Sequence, residues 1–141
     1  MGKNKETVEV LWDTGSEWLT IESYLCSTCD GGYDYSPSLG DTFTVKPNSE
    51  GERNYGSAST SGFEAYETVC IKTIDEACTS AFNMFIVTKQ DGMPGYADGI
   101  AGLSTSAKRR KNKPEHSTIV KAWADAGITT NARFAFALND L

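Results

Sequence analysis

The sequence predicts a mainly β domain, a sheet-built sandwich or barrel with one helix. Its 141 residues suit a single domain with a sizeable buried core. Short runs rich in β-branched and aromatic residues alternate with turn residues along most of the chain, which is typical of strands. Only residues 115–126 carry apolar side chains at the three- and four-residue steps of an amphipathic helix, and Gly127 is a natural stop for it.

The first half of the chain predicts two strands followed by a long surface excursion. Residues 7–12 and 18–21 are β-rich and are separated by the turn residues Asp-Thr-Gly-Ser. Residues 30–51 are dominated by Gly, Pro, Ser and Asp, and only residues 43–45 look like a strand. We therefore expect this segment to run over the surface.

The second half predicts a hairpin and a final strand. Residues 62–71 alternate in the manner of a half-buried strand, and residues 81–87 return after a polar turn. Residues 132–138 alternate small and large side chains, as a strand with one crowded face would.

The four cysteines form two pairs that are close in sequence, and local pairing leaves none over. This economy favours the disulfides Cys26–Cys29 and Cys70–Cys78, the second across the turn of the predicted hairpin. One alternative is a zinc ion held by four thiolates, although only Cys26 and Cys29 have the short spacing of a zinc knuckle. The other is that Cys70 and Cys78 are reduced core thiols. Disulfides would place the folded chain in an oxidising compartment.

Charge and composition exclude several classes of function. A net charge of -6, from 13 basic and 19 acidic residues, opposes binding to nucleic acid. No apolar run is long enough to span a membrane. A single histidine, His116, rules out sites built from several imidazoles. Residues 108–113 hold five basic side chains, for which a solvated loop is favoured over a processing site or a contact with an acidic partner.

The most informative segment for chemistry is Asp13-Thr14-Gly15-Ser16. It places a carboxylate at the end of an apolar strand, beside a flexible glycine and two hydroxyl groups. Hydrogen-bond donors favour the ionised carboxylate, whereas apolar neighbours raise the cost of its charge, so such a group is poised for proton transfer. The alternative interpretation is an ordinary turn, because these residue types are also good turn formers.

Four segments, in order, resemble the N-terminal lobe of the pepsin-like aspartic peptidases. Residues 13–16 resemble the first active-site loop of that family, and residues 33–43 its surface segment with the Tyr-Asp-Tyr-Ser-Pro-Ser pattern. Residues 55–69 resemble its flap hairpin and return strand. Residues 98–103, Asp-Gly-Ile-Ala-Gly-Leu, resemble the segment that threads beside the active-site loop. The resemblance implies one lobe of closed or orthogonally packed β-barrel-like sheets over residues 1–141.

The resemblance also implies roles for individual residues. Asp13 would be one of two catalytic aspartates, Thr14 would brace the opposing loop, Gly15 would give backbone access and Ser16 would bond to the carboxylate. Tyr55 would be the flap tyrosine. The alternative is that it is an ordinary aromatic residue in a turn.

Four further residues would contact the substrate. Gly56 and Ser57 would present backbone and hydroxyl groups to a bound peptide. Leu11 and Ile100 would line a pocket for a hydrophobic side chain, although by default both are core residues.

Two positions depart from the family pattern. Thr20 stands where the family commonly has a tryptophan that hydrogen-bonds to the flap tyrosine. Trp18 lies two residues earlier on the same strand face, so we expect it to be a possible substitute. Ala58 replaces a usual flap glycine, which would stiffen the flap tip.

The implied chemistry needs two aspartates, one to accept a proton from the attacking water and one to donate a proton toward the scissile carbonyl. The chain contains one Asp-Thr-Gly, and we expect it to lack the family's first strand and second lobe. It would therefore be half of an endopeptidase, completed by a second lobe or chain and cleaving extended peptides with large apolar groups beside the cut. The alternatives are a symmetric homodimer and an inactive lobe that serves as a binding or structural subunit.

The resemblance implies neither a metal nor an organic cofactor. Together with the paired cysteines it implies a protein of the secretory pathway, in a vacuole or lysosome or outside the cell.

Overall fold

The computed structural model of the chain describes residues 1–2, 4–29, 35–37, 42–72, 77–104 and 118–137. Within these residues the chain forms seven strands in one mixed sheet and a single helix, which confirms the predicted mainly β class. The elements are β1 Val10–Asp13, β2 Leu19–Glu22, β3 Thr44–Val45, β4 Gly51–Tyr55, β5 Ala58–Cys70, β6 Cys78–Asp91, β7 Gly99–Gly102 and α1 Ile119–Asp125. The sheet order is β1-β7-β2-β6-β5-β3, and β4 pairs with β5 outside this path.

Strand β7 lies between the first two strands, parallel to β1 and antiparallel to β2. The two glycines of its sequence allow this insertion. A Cβ atom on Gly99 would lie 2.0 Å from the carbonyl oxygen of Thr20, and one on Gly102 would lie 2.5 Å from the carbonyl carbon of Glu17. The predicted threading segment is therefore confirmed, and only glycine permits the close backbone approach that it makes.

The long β5–β6 hairpin is the centre of the sheet and confirms the predicted hairpin. Cys70 and Cys78 lie directly opposite each other at its closed end and form a disulfide. Cys26 and Cys29 form the other disulfide, and no cysteine remains free. The interpretations of the cysteines as zinc ligands or as reduced core thiols are therefore wrong.

The core lies between the sheet and the helix. Ile21 from β2 and Met84 and Ile86 from β6 are fully buried, and Ile119 and Val120 from α1 pack against the same cluster. Alternation along β2 and β6 does not hold in this region, since their consecutive residues are buried on both faces.

The helix is shorter at its start than the predicted range of 115–126. It begins at Ile119 because Thr118 has an extended backbone, with φ -66° and ψ 152°. Residues 115–117 lie outside the described residues. At the other end Gly127 has a φ of +74°, so the predicted stop is confirmed.

The expected surface excursion is anchored in the core at two points. Tyr35 and Phe43 are buried and pack edge to face, with ring centroids 6.4 Å apart. The Tyr35 hydroxyl donates to Oε2 of buried Glu67 over 2.7 Å. The prediction that residues 30–51 run over the surface was wrong at these two positions, because the Gly- and Ser-rich composition around them hides two buried aromatic residues. The segment also ends earlier than predicted, since β4 begins at its last residue, Gly51.

The expected final strand is absent from the described part of its range, residues 132–137, which are exposed and not in a strand. Phe134 and Phe136 pack edge to face with each other, with ring centroids 5.6 Å apart. Alternation alone does not make a strand, which also needs a neighbouring strand to accept its backbone hydrogen bonds. Residue 138 lies outside the described residues.

Candidate active site

Asp13 is the last residue of β1, and its backbone is fixed by the strand that threads beside it. It lies opposite Gly102 in the parallel β1–β7 pair. Beyond that pair, the Leu103 N–H donates to the Asp13 carbonyl over 2.7 Å and the Ser104 N–H donates to the Ser16 carbonyl over 2.8 Å. The turn after Asp13 is thus held at both ends by backbone hydrogen bonds, which leaves the side chain of Asp13 half-buried at the strand end.

The Asp13 carboxylate receives a hydrogen bond from within its own turn. The Gly15 N–H donates to Oδ1 over 2.8 Å. A Cβ atom on residue 15 would lie 3.1 Å from the same oxygen, so any larger residue would crowd the carboxylate. Thr14 and Gly15 are both exposed, which leaves the tip of the turn open to a further partner.

Ser16 does not make the hydrogen bond that the resemblance implied. Within the described residues its Oγ is buried and has no hydrogen-bond partner. The backbone of Ser16 is tied to Ser104, and Oδ1 of Asp13 already accepts the Gly15 N–H. The role expected of the Ser16 hydroxyl is therefore filled in this structure by a backbone amide.

The flap is the hairpin of β4 and β5. Its pairing ends at Tyr55 and Ala58, which leaves Gly56 and Ser57 as an exposed two-residue turn. Gly56 has a φ of +55°, a left-handed conformation that glycine adopts without steric cost. The turn therefore presents its backbone and the Ser57 side chain to solvent.

Tyr55 shares a hydrogen bond with Thr20 through their hydroxyl groups. Thr20, the residue in the position of the family's tryptophan, makes this contact itself, so Trp18 does not take over the bond to the flap tyrosine. Burial raises the pKa of Tyr55, although the hydrogen bond with Thr20 and the positive charge of Arg53 oppose the rise. The negative charge of Asp13 makes the smallest contribution and adds to the rise.

A small apolar cluster lies under the flap. Ala58, Met93 and Ile100 are buried together, and the Tyr55 ring packs against them. Leu11 on β1 is the register partner of Ile100 on β7 and is half-buried. The structure thus brings Tyr55 and Ile100 together and leaves Leu11 on the strand that leads to Asp13.

Two residues that the sequence interpretation missed belong to this region. Met93 follows Gly92, whose φ is +77°, so the chain turns sharply after β6 and brings the methionine back under the flap. An apolar residue between Gly and Pro in a turn was the available signal. Arg53 lies two residues before Tyr55, which places both on one face of β4.

In the described ranges, no group of three or more His, Cys, Asp or Glu side chains is arranged to hold a metal ion. None of the helical structure in those ranges is long and apolar enough to cross a membrane.

Comparison with known proteins shows the family of the chain. The family described as eukaryotic aspartyl protease matches residues 1–140. Pepsin A of Gallus gallus is 34% identical over 77 residues, which are 53% of this chain and 21% of the chicken protein. The chain thus corresponds to a minor part of that relative's length. Because the family match extends over nearly the whole sequence, the chain belongs to the eukaryotic aspartyl protease family.

Proposed function

We propose that this chain supplies one half of the active site of an aspartic endopeptidase, with Asp13 as its catalytic carboxylate. The observation that carries the proposal is the position of Asp13. Asp13 is the last residue of β1, and its half-buried carboxylate accepts the Gly15 N–H over 2.8 Å. Family membership supports the same assignment.

The chemistry requires a second carboxylate opposite Asp13. One ionised aspartate removes a proton from water while the water oxygen attacks the scissile carbonyl carbon, and a protonated aspartate donates to the carbonyl oxygen. The tetrahedral intermediate then loses the amine, whose nitrogen takes up a proton as the carbon–nitrogen bond breaks. Asp13 fills one of these two positions.

Four acids are buried among the described residues, namely Glu22, Glu64, Glu67 and Asp98. The last three accept hydrogen bonds from other parts of the chain. Oε1 of Glu64 accepts from Arg53, Oε2 of Glu67 accepts from Tyr35, and Oδ2 of Asp98 accepts the Glu9 N–H. We assign the second catalytic carboxylate to a second lobe, on the same or another polypeptide, because this chain contains a single Asp-Thr-Gly. The exposed Thr14 would then contact the matching loop of that lobe.

The proposed substrate is an extended peptide with large apolar side chains beside the cut. The exposed turn of Gly56 and Ser57 offers backbone and hydroxyl groups to a peptide that lies under the flap. The apolar cluster around Met93 and Ile100, with Leu11 beside it, offers one wall for an apolar side chain. No metal or organic cofactor enters the proposed mechanism.

We also propose that the protein works in the secretory pathway, in a vacuole or lysosome or outside the cell. The support is the two disulfides, which persist in oxidising compartments.

The proposal is tested by incubating the chain with an unfolded protein at about pH 4, where one carboxyl group of an aspartate pair is readily kept protonated. The chain is assayed alone and with a second lobe, each with and without a statine-type inhibitor, which mimics the transition state. Inhibitable cleavage only with the second lobe is the expected result. Cleavage by the pure chain that rises with the square of its concentration indicates the symmetric dimer instead. Neither cleavage nor inhibitor binding in any combination indicates a lobe without catalysis.

A further inference from the structure

Besides the hydrogen bond between Tyr55 and Thr20, a second contact joins the flap strand β4 to Trp18 and Phe85. Arg53 shares a face of β4 with Tyr55, and Trp18 precedes Thr20 by two residues along the chain. The guanidinium carbon of Arg53 lies 4.6 Å from the centroid of the Trp18 ring and 4.5 Å from that of Phe85. The two rings meet edge to face, 6.4 Å apart, so the cation rests against an aromatic corner.

Two of the three guanidinium nitrogens of Arg53 donate hydrogen bonds, whereas Nε is buried and has no partner among the described residues. Nη1 donates to the Glu52 carbonyl over 2.9 Å and Nη2 donates to Oε1 of Glu64 over 3.3 Å. The Glu64 side chain is only 8% exposed, and its other oxygen accepts from Lys46 and Asn83. The guanidinium of Arg53 is therefore held by the Glu64 carboxylate, which Lys46 and Asn83 in turn hold in place.

We propose that Arg53 is the positioning residue of the flap and that its contact with Trp18, Phe85 and Glu64 holds Tyr55 against Thr20. One hydroxyl–hydroxyl bond is weak on its own, because each hydrogen bond contributes little net stability. A second contact on the same strand face removes the rotation of β4 that would break the first. The consequence for peptide binding rests on the proposed function, whereas the positioning itself does not.

The residue type suits this role. A guanidinium is planar, stays ionised at any working pH, stacks on aromatic rings and donates in several directions at once. A lysine ammonium would keep the charge but lose the plane and the paired donors. The pKa of Glu64 is lowered: burial acts to raise it, but the hydrogen bonds from Lys46 and Asn83 and the charges of Lys46 and Arg53 outweigh burial. The ion pair therefore persists into mildly acidic solution.

The test observes the Tyr55 hydroxyl directly in the resting chain. The chain is labelled with tyrosine carrying ¹³C at Cζ, whose NMR signal reports the state of the hydroxyl, and the Tyr55 signal is assigned by its absence in Tyr55→Phe. Thr20→Val supplies the signal of a Tyr55 that has lost its partner. Arg53→Met keeps the apolar stem but removes charge and plane, Arg53→Lys keeps the charge, and Glu52→Gln is the matched control on the opposite, exposed face of β4.

We expect the Tyr55 signal of Arg53→Met to move to the position seen in Thr20→Val, and that of Arg53→Lys to move part of the way. Amide exchange at residues 55–58 should accelerate roughly tenfold in Arg53→Met, from the strength of a partly desolvated cation–π contact. Glu52→Gln should match the unsubstituted chain in both measurements.

A folded Arg53→Met chain with an unchanged Tyr55 signal and unchanged flap exchange would overturn the proposal. If Arg53→Met does not fold, Arg53→Lys carries the test, and an unchanged Tyr55 signal in that variant overturns the role of the guanidinium plane. Neither readout involves substrate or a second lobe. Failure of the peptidase proposal would appear in the cleavage assay and leave these results unaffected.

Discussion

The Asp13 turn and the flap are the two parts of the candidate site, and they are held in different ways. The turn is fixed by backbone hydrogen bonds and by a strand that approaches closely at Gly99 and Gly102. The strands of the flap pair with each other and with β6, but the contacts that join the flap to Trp18 and Thr20 are made by the side chains of Arg53 and Tyr55. Backbone packing gives one geometry with little freedom, whereas side-chain contacts are released and remade at small cost. The difference suits the proposed function, in which a rigid carboxylate lies beneath a flap that admits a peptide.

The largest expected effect comes from breaking the backbone packing beside Asp13. Gly102→Ala places a Cβ atom 2.5 Å from the Glu17 carbonyl carbon and 2.6 Å from the Trp18 nitrogen, where only backbone atoms can move. We expect the free energy of unfolding to fall by about 3 kcal/mol or more, the upper range for overpacking. Urea unfolding followed by circular dichroism measures this loss.

Gly127→Ala is the matched control for that substitution. Gly127 has a φ of +74° but open space around its Cβ position. Its replacement should cost about 1 kcal/mol, from backbone strain alone. Equal losses in the two variants would show that close approach does not hold the turn.

Glu64, the ion-pair partner of Arg53 in the flap, should make the stability of the chain depend on pH. Its pKa in the folded chain lies below the ordinary value of 4.5, since the contacts with Lys46, Asn83 and Arg53 outweigh burial. A depressed folded-state pKa gives stability that is present above the unfolded pKa and lost as the pH falls through the folded pKa. We therefore expect the unfolding free energy to decline as the pH falls below about 4.5.

The measurement is urea unfolding from about pH 6 to about pH 3, where this protonation occurs. Glu64→Gln should be less stable at pH 6 and show a flatter decline. Asp125→Asn is the control, because Asp125 forms an exposed pair with Lys121 and such pairs contribute little. A decline that is equally steep with and without Glu64 would assign the acid sensitivity to other carboxyl groups.

A smaller effect is expected at the hydroxyl pair of the flap. Thr20→Val leaves the Tyr55 hydroxyl partly buried without its partner and should cost about 1–2 kcal/mol. Tyr55→Phe removes the other hydroxyl, and the double variant should lose less than the sum of the two single losses. Additive losses in this cycle, measured by urea unfolding, would mean that the two hydroxyl groups do not interact.

The smallest effect on stability is expected at Gly15. Gly15→Ala brings a Cβ atom to 3.1 Å from Oδ1 of Asp13 at an exposed position, so the loss should stay within about 1 kcal/mol. The hydrogen bond to the carboxylate should nevertheless weaken. An upfield shift of the residue 15 amide proton would report this, and an unchanged shift would show that the turn accommodates the methyl group.

The same contrast explains what could be predicted from the sequence. Local signals gave the β5–β6 hairpin, the Cys70–Cys78 bridge across its turn and the stop at Gly127. The threading strand β7 was predictable from a sequence pattern because its two glycines are required where the neighbouring backbone approaches closely. These features depend on residues that are near each other in the chain or on steric rules that allow one residue type.

Contacts between distant side chains were not predictable in this way. Thr20 lies in β2 and Trp18 directly precedes that strand, and only the three-dimensional register decides which of them reaches the Tyr55 hydroxyl. In the sequence Arg53 resembles any surface charge, because nothing local shows that its guanidinium packs on Phe85. The family resemblance assigned a hydrogen bond with the Asp13 carboxylate to Ser16, but the backbone N–H of Gly15 makes that bond. The aromatic anchors Tyr35 and Phe43 were hidden by the turn-rich residues around them.

The central claim is that Asp13 is one member of a catalytic carboxylate pair. The most direct test compares the chain and its Asp13→Asn variant, each assembled with a second lobe, for cleavage of an unfolded protein in acid. The variant keeps the side chain's size and the bond from Gly15, so it should fold normally and lose at least about 100-fold in rate, the low end for a group that acts in proton transfer. Cleavage by a folded Asp13→Asn assembly at the unsubstituted rate would contradict the account.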